Sequence, residues 1–225
     1  MLELRAAKRA RLLAEEYGDE PLPIGLTASE TDISLQLEWS RQASKFIELG
    51  FHKKLGLSEE QYLATLPKFG SQPEGFKGRF DIPVLVETRV PPRSQLELAG
   101  FEAYLEGLEV YDWPGDPKGY KTPGMPYVAW VQDGSKSLNK SVEEVRRGLA
   151  PDERGATLLD GTGLVIAHTE LLKGHYIHLP GSEVGGRNKF CYAPYLSLGG
   201  DGPRLSYGWF DSADWSFGSA SCGRQ

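Results

Sequence analysis

Four histidines and two cysteines are the residues of this 225-residue chain best suited to metal or nucleophilic chemistry. Three of the histidines lie close together, His168, His175 and His178, with Cys191 beyond them. A zinc site needs three or four such ligands around one point. The spacing H-x6-H-x2-H fits no standard metal motif, and on one strand His175 and His178 point to opposite faces. No metal and no cofactor are expected. An acid–base reading stays open, in which His168, His175 or His178 works with a carboxylate such as Glu170 in a hydrolase or transferase. Cys191 sits in "KFCYAPY" among alternating strand residues, and free cysteines of that kind are usually buried. Cys222 lies in a Gly/Ser-rich tail, where exposure is expected, with no neighbour that marks a nucleophile.

The tail "YGWFDSADWSFGSASCGRQ" poses the sharpest question. Leu205, Tyr207 and Trp209 alternate as the inward face of a strand, Asp211 to Asp214 reads as a turn, and Trp215 and Phe217 share one face. Interior filling is enough to explain such aromatics. The rival is a concave site in which Trp209 and Trp215 stack on a ligand, Asp211 and Asp214 accept its hydroxyl groups, and Arg187 of "VGGRNK" contacts an anion.

Other near-motifs fail on one residue each. "GSASCG" puts Ala220 where a serine-hydrolase elbow needs its nucleophile. "GSQPEGFKG" has Phe76 in place of the phosphate-loop lysine. "DGTGLVIAH" lacks the third glycine of a dinucleotide fingerprint. Glu109, Asp112 and Asp116 have carboxylates for a cation, but Trp113-Pro114 interrupts the alternation that such loops use. A solvated turn is the expectation there.

Behind these residues stand elements with two textures. Seven of the 27 glycines precede Gly100 and twenty follow from it. That points to a more helical front and a turn-rich back. Residues 3–17 have amphipathic helical spacing. Residues 27–50 carry a helical stripe, Leu35, Trp39, Ala43 and Phe46, capped by Thr27 and Glu30 and stopped at Gly50. Ile33, Leu35, Leu37 and Trp39 also alternate as a strand would, and that alternative stays open. Ser58 with Gln61 and Ser141 with Glu144 are capping boxes, each opening a helix. "IPVLVET" and "MPYVAWVQDG" read as strands, "PPRSQLELAGF" as a short helix. "APDERGATLLDGTGLVIAHTELL" reads as two helical pieces, the first starting near Pro151. "HYIHLPGS", "KFCYAPYLSL" and "RLSYGWF" read as three closing strands, the last two split by "GGDG". The expectation is an α+β fold: a helical subdomain over 1–69, then an α+β domain over 80–225 whose sheet is mixed or mainly antiparallel, with flanking helices and a C-terminal meander.

A formal charge of −6 argues against nucleic acid, since neutralising phosphates needs a basic face. Arg5, Lys8, Arg9 and Arg11 read as one solvated helix face. No segment reaches the ~20 apolar residues of a membrane span, and the first residues lack the apolar core of a signal peptide. A soluble, cytoplasmic protein with reduced thiols is expected.

"EWSRQASKFIELGFHKKLGLSEEQYLATL", "IPVLVET" followed by "VPP", and "LPGSEVGGR…YLSL…GPRLSYGWF…FGSASCGR" resemble, in order and spacing, a family of uncharacterised bacterial proteins catalogued as a domain of unknown function. The resemblance spans about 30 to 224. Glu183 stands where the similar proteins often show arginine, and Phe210 where they show a polar or small residue. The resemblance implies no activity, substrate or catalytic residue. The functional expectation is a binding or interaction protein for an unidentified protein or small molecule, with the His/carboxylate enzyme as the alternative.

Overall fold

The computed structural model describes residues 30–105, 108–185 and 192–224. The expected helix at 3–17, its basic face, the Thr27 cap, Arg187 and Cys191 lie outside them. Among the described residues the chain forms six helices and eleven strands in two sheets, an α+β fold.

The front of the chain is helical: α1 (Glu30–Glu48), α2 (Phe51–Lys54) and α3 (Glu59–Ala64). The alternation at 32–39 therefore resolves as helix. Gly50, at φ 78°, turns the chain between α1 and α2, in a conformation that costs glycine least. Ser58 accepts from the Gln61 amide and Gln61 caps back, so α3 starts on the capping box that its sequence announces.

The first sheet is fully antiparallel, in the order β1 (Ile82–Val86), β4 (Tyr127–Gln132), β11 (Ser221–Gly223), β5 (Glu153–Gly155). The helical segment expected near Pro151 is thus a strand. Arg154 pairs across from Cys222 and its guanidinium reaches Asp160 at 2.5 and 3.0 Å, tertiary contacts that override a local helical preference. Both faces of β1 are covered. Val84 and Val86 join the large core that also holds Leu164, Val165, Ile177, Leu196 and Leu205. Leu85 points the other way, into a second cluster with Phe46, Phe51, Tyr62, Val90 and Ile166. Residues 35–69 accordingly do not close on a core of their own. Residues 35–225 form one compact unit by their contacts.

The second sheet is mixed and mainly antiparallel. Its long central strand β8 (Tyr192–Gly199) is flanked on one edge by β6 (Tyr176–His178) and β7 (Ser182–Gly185), and paired by its other edge with β9 (Gly202–Trp209). β10 (Phe217–Ser219) runs parallel to β6, β2 (Glu102–Ala103) parallel to β9, and β3 (Glu109–Asp112) antiparallel to β7. Helices α4 (Pro92–Leu98), α5 (Val142–Gly148) and α6 (Leu158–Ala167) complete the fold. Ser141 and Thr157 open α5 and α6 with capping boxes.

The glycine- and serine-rich tail joins the two sheets. It leaves the second as β10, passes Ala220, and enters the first as β11. Ala220 donates to the His178 carbonyl, and its own carbonyl accepts from Ala156. Ser219, Ala220, Ser221 and Cys222 are all buried, so the exposure expected for Cys222 is corrected. Small residues are needed where two sheet edges meet backbone to backbone. Among the described residues no helix is long and apolar enough to cross a membrane.

Candidate functional site

The three histidines go to different places. His168 follows α6 and lies at the surface, with Nδ1 3.3 Å from Glu170 and Nε2 3.4 Å from Glu38. Arg41 completes that cluster by a paired contact with Glu38. Burial alone would raise the Glu38 carboxyl, but the Arg41 and Gln42 hydrogen bonds hold it below its ordinary range. His175 is within 3.0 Å of the Asp133 carbonyl. His178 lies in β6, 3% exposed, and neither ring nitrogen has a partner. Burial pushes its pKa down to about 4, against a weaker upward pull from Asp214. Among the described residues no group of three or more His, Cys, Asp or Glu side chains is placed to hold a metal.

The two tail tryptophans are not interior filling, and that expectation is corrected, while Leu205, Tyr207 and Phe217 stay wholly or partly buried. Trp209 is 55% exposed and Trp215 80%. The alternation of Leu205, Tyr207 and Trp209 does place them on one face. That face runs out of core towards the end of β9, where Trp209 leans on Tyr192 at 4.5 Å. Trp215 stands in the turn before β10 rather than on its face. Asp214 caps that turn, accepting from the Ser216 amide and hydroxyl at 2.8 and 2.6 Å, while Asp211 is exposed. Cys222 is buried, and desolvation pushes its thiol well above its ordinary value, which disfavours the thiolate form.

What the fold does assemble is the outward face of the second sheet. The register sets His178 opposite Tyr195 and Tyr195 opposite Ser206, and likewise Ser197 opposite Arg204 and Phe217 opposite Tyr176. Directly paired residues share a face. Phe217 stacks on His178 at 4.5 Å and meets Tyr176 and Tyr195 edge-on at 4.9 and 5.0 Å. Beside this cluster Tyr104, Tyr176 and Tyr195 line one hollow of about 520 Å³ together with Ser197, Ser206 and Arg204, while Tyr207, also at its wall, shares the face of Leu205 and packs against the core. Arg204 is held by Asp201 through Nη2 at 2.6 Å, and its buried Nε has no partner. Sequence reasoning found His178 and missed Tyr176, Tyr195 and Arg204. Their signal was present as the alternation Tyr176/His178 and Tyr195/Ser197, but that alternation does not say which face is the core.

A second hollow, of about 490 Å³, is mainly apolar, lined by Leu105, Leu108, Val110, Leu158 and Leu159. The carboxylate at its edge, Asp112, is taken by the Thr122 amide and hydroxyl at 2.8 and 2.7 Å. Asp116 accepts from Arg224 at 2.6 Å and from two backbone amides, so this stretch is a hydrogen-bonded loop rather than a solvated turn. No family model, no curated protein and no solved structure matches the chain.

Proposed function

We propose that the chain is a non-catalytic binding protein whose recognition surface is the tyrosine-lined outward face of the second sheet. Its ligand is a small molecule that joins a flat ring to a hydrogen-bond acceptor. The observation that carries this reading is Arg204, with an unpartnered Nε, in one hollow with three outward-facing tyrosines, Tyr104, Tyr176 and Tyr195, and two serines. Tyrosine and serine together give large contact area with adaptable hydrogen bonding, and about 520 Å³ is within the size range of small-molecule sites. His178 backs this face as a neutral ring at physiological pH, which suits packing better than proton transfer. The net charge of −6 favours a ligand other than nucleic acid. A cytoplasmic setting is part of the same reading, supported by the buried free thiol of Cys222. Kinship with the bacterial family of unknown function is likewise proposed. It is supported by the place of the "GSASCGR" block at the junction of the sheets, which accounts for its residue types.

A thermal-shift screen of ring compounds with and without an acceptor group tests the reading. Hits are expected to weaken about tenfold or more in Arg204→Gln, the worth of a charge-assisted hydrogen bond, with an unchanged melting temperature for the free protein. Hits that bind Arg204→Gln and Tyr195→Ala as well as the parent would refute it. The hydrolase or transferase reading rests on the 3.3 Å approach of His168 to Glu170. That pair lines none of the three hollows described for this chain, whose third is lined by Gln132 and Ser219.

A further inference from the structure

A third hollow, of about 270 Å³, lies on the other side of the tail, between α5 and the first sheet. Its wall includes Gln132 at the end of β4, Ser137, and Ser219 and Ser221 from either side of Ala220. Two of these residues carry polar atoms with no hydrogen-bond partner. They are the Gln132 Nε2, in a side chain 8% exposed, and the Ser219 Oγ, in one 1% exposed. The Gln132 amide is oriented by its other end, because Oε1 accepts from the Gly134 amide at 3.0 Å. Its free end is therefore the NH2 group, a donor only. Ser219 is fixed in turn by Ser137, whose hydroxyl accepts from the Ser219 amide at 2.7 Å.

The rim is cationic where it is free. Arg79, Lys136 and Lys140 line the hollow with Glu144 and Glu153. Arg79 is tied to Asp152 at 2.6 and 3.1 Å, and Lys136 donates to the Gly78 carbonyl at 2.5 Å. The two carboxylates already accept backbone amides, Glu144 from Ser141 at 2.8 Å and Glu153 from Ala150 at 3.3 Å. The Lys140 ammonium makes no close hydrogen bond or ion pair among the described residues, although its charge helps hold the Glu144 carboxyl below its ordinary range. Buried donors without acceptors cost free energy, and an anionic oxygen answers both donors and the free lysine at once.

We propose that this hollow binds a small oxyanion, the carboxylate or phosphate group of a small molecule. It is independent of the tyrosine-lined face, and neither probe below carries a ring. The test follows the Gln132 side-chain amide by heteronuclear NMR in the full chain. Millimolar acetate and inorganic phosphate are titrated separately, with chloride as the control. The expected result is a saturable shift with at least one oxyanion and none with chloride. The stronger of the two identifies the headgroup. Lys140→Gln, at the exposed rim, should weaken that binding about tenfold. Gln132→Glu, which keeps an acceptor for the Gly134 amide, should abolish it, read in this variant from the Ser219 backbone amide because the Gln132 side-chain amide is gone. If Gln132→Glu does not fold, Lys140→Gln alone decides. No shift with either oxyanion, an equal shift with chloride, or an unchanged dissociation constant in Lys140→Gln overturns the proposal. Arg204→Gln leaves this binding intact whatever becomes of the other site.

Discussion

A histidine with both ring nitrogens buried and unpartnered is held neutral by its surroundings, and that makes His178 a source of acid lability. Its pKa falls from an ordinary 6.5 to about 4 on folding, because burial penalises the charged ring more than Asp214 rewards it. Between those values the unfolded chain takes up a proton that the folded chain refuses. The stability this group supplies is therefore present above pH 6.5 and drains away as the pH falls toward 4. The full effect is on the order of 3 kcal/mol. Carboxylates titrate in the same range, so the contribution is isolated by difference. His178→Phe keeps a ring against Phe217 and Tyr195 and removes the titration. Denaturant midpoints measured from pH 7 to pH 4.5 should fall less steeply in the variant than in the parent. Parallel profiles would mean that His178 titrates normally. A different buried network shows what residue-level reading misses. Asp160 is fully enclosed, yet the Arg154 guanidinium and two Thr157 donors hold its carboxyl below the ordinary range against the upward push of burial. Thr157 and Asp160, three residues apart, open α6 as a capping box. Arg154, six residues before Asp160, was read as helical, because nothing local reveals that β5 must pair with the end of the chain.

Elements of this fold meet most tightly where glycine allows backbone against backbone. Gly155 ends β5, and the Ala156 carbonyl beside it accepts the Gly181 amide. A Cβ on Gly155 would stand 2.5 Å from the Gly181 nitrogen and 2.7 Å from the Pro180 carbonyl carbon, with only backbone there to yield. Gly155→Ala should therefore cost about 1–3 kcal/mol, the usual penalty of overpacking. Gly70→Ala, where nothing lies within 4 Å, should be near neutral. Urea titrations of the two variants check this, and equal midpoints would show that the sheets separate without strain. Such contacts explain which elements were legible in advance. Helices that begin on a capping box, α3 and α5, and strands with a continuous apolar run, β1 and β4, announce themselves through neighbours a few residues apart. β10 and β11 do not. Apart from Phe217 and Cys222 they are glycine and serine, of weak strand preference, and they are strands because His178, Gln132 and Arg154 lie beside them. The candidate site suffered from the same limit. Its tyrosines were read as strand residues, but which face turned outward depended on the core chosen by Ile177, Leu196 and Leu205.

At the scale of the molecule, the helical front and the sheets share residues rather than a linker. Leu85 lies in the first sheet yet packs with Phe46, Phe51 and Tyr62, and Ile166 brings α6 into the same cluster. The bond from the Trp39 indole to the Pro67 carbonyl, 2.7 Å, ties α1 to the end of the helical segment. Tyr62 donates to Glu87 at 2.9 Å, just past β1, and Gln42 bonds the Pro83 carbonyl and the Leu85 amide at 2.8 Å each. Helices that satisfy the backbone of a strand cannot leave it without stranding those groups, so the two layers should open together. Native-state hydrogen exchange measures this directly. The slowest amides of α1 and α3 should show the same opening free energy as those of β1 and β4. Leu85→Ala, expected to cost about 2–5 kcal/mol, should lower both sets by the same amount. Helical amides that exchange from a separate, weaker unit and ignore Leu85→Ala would instead show an independent helical subdomain.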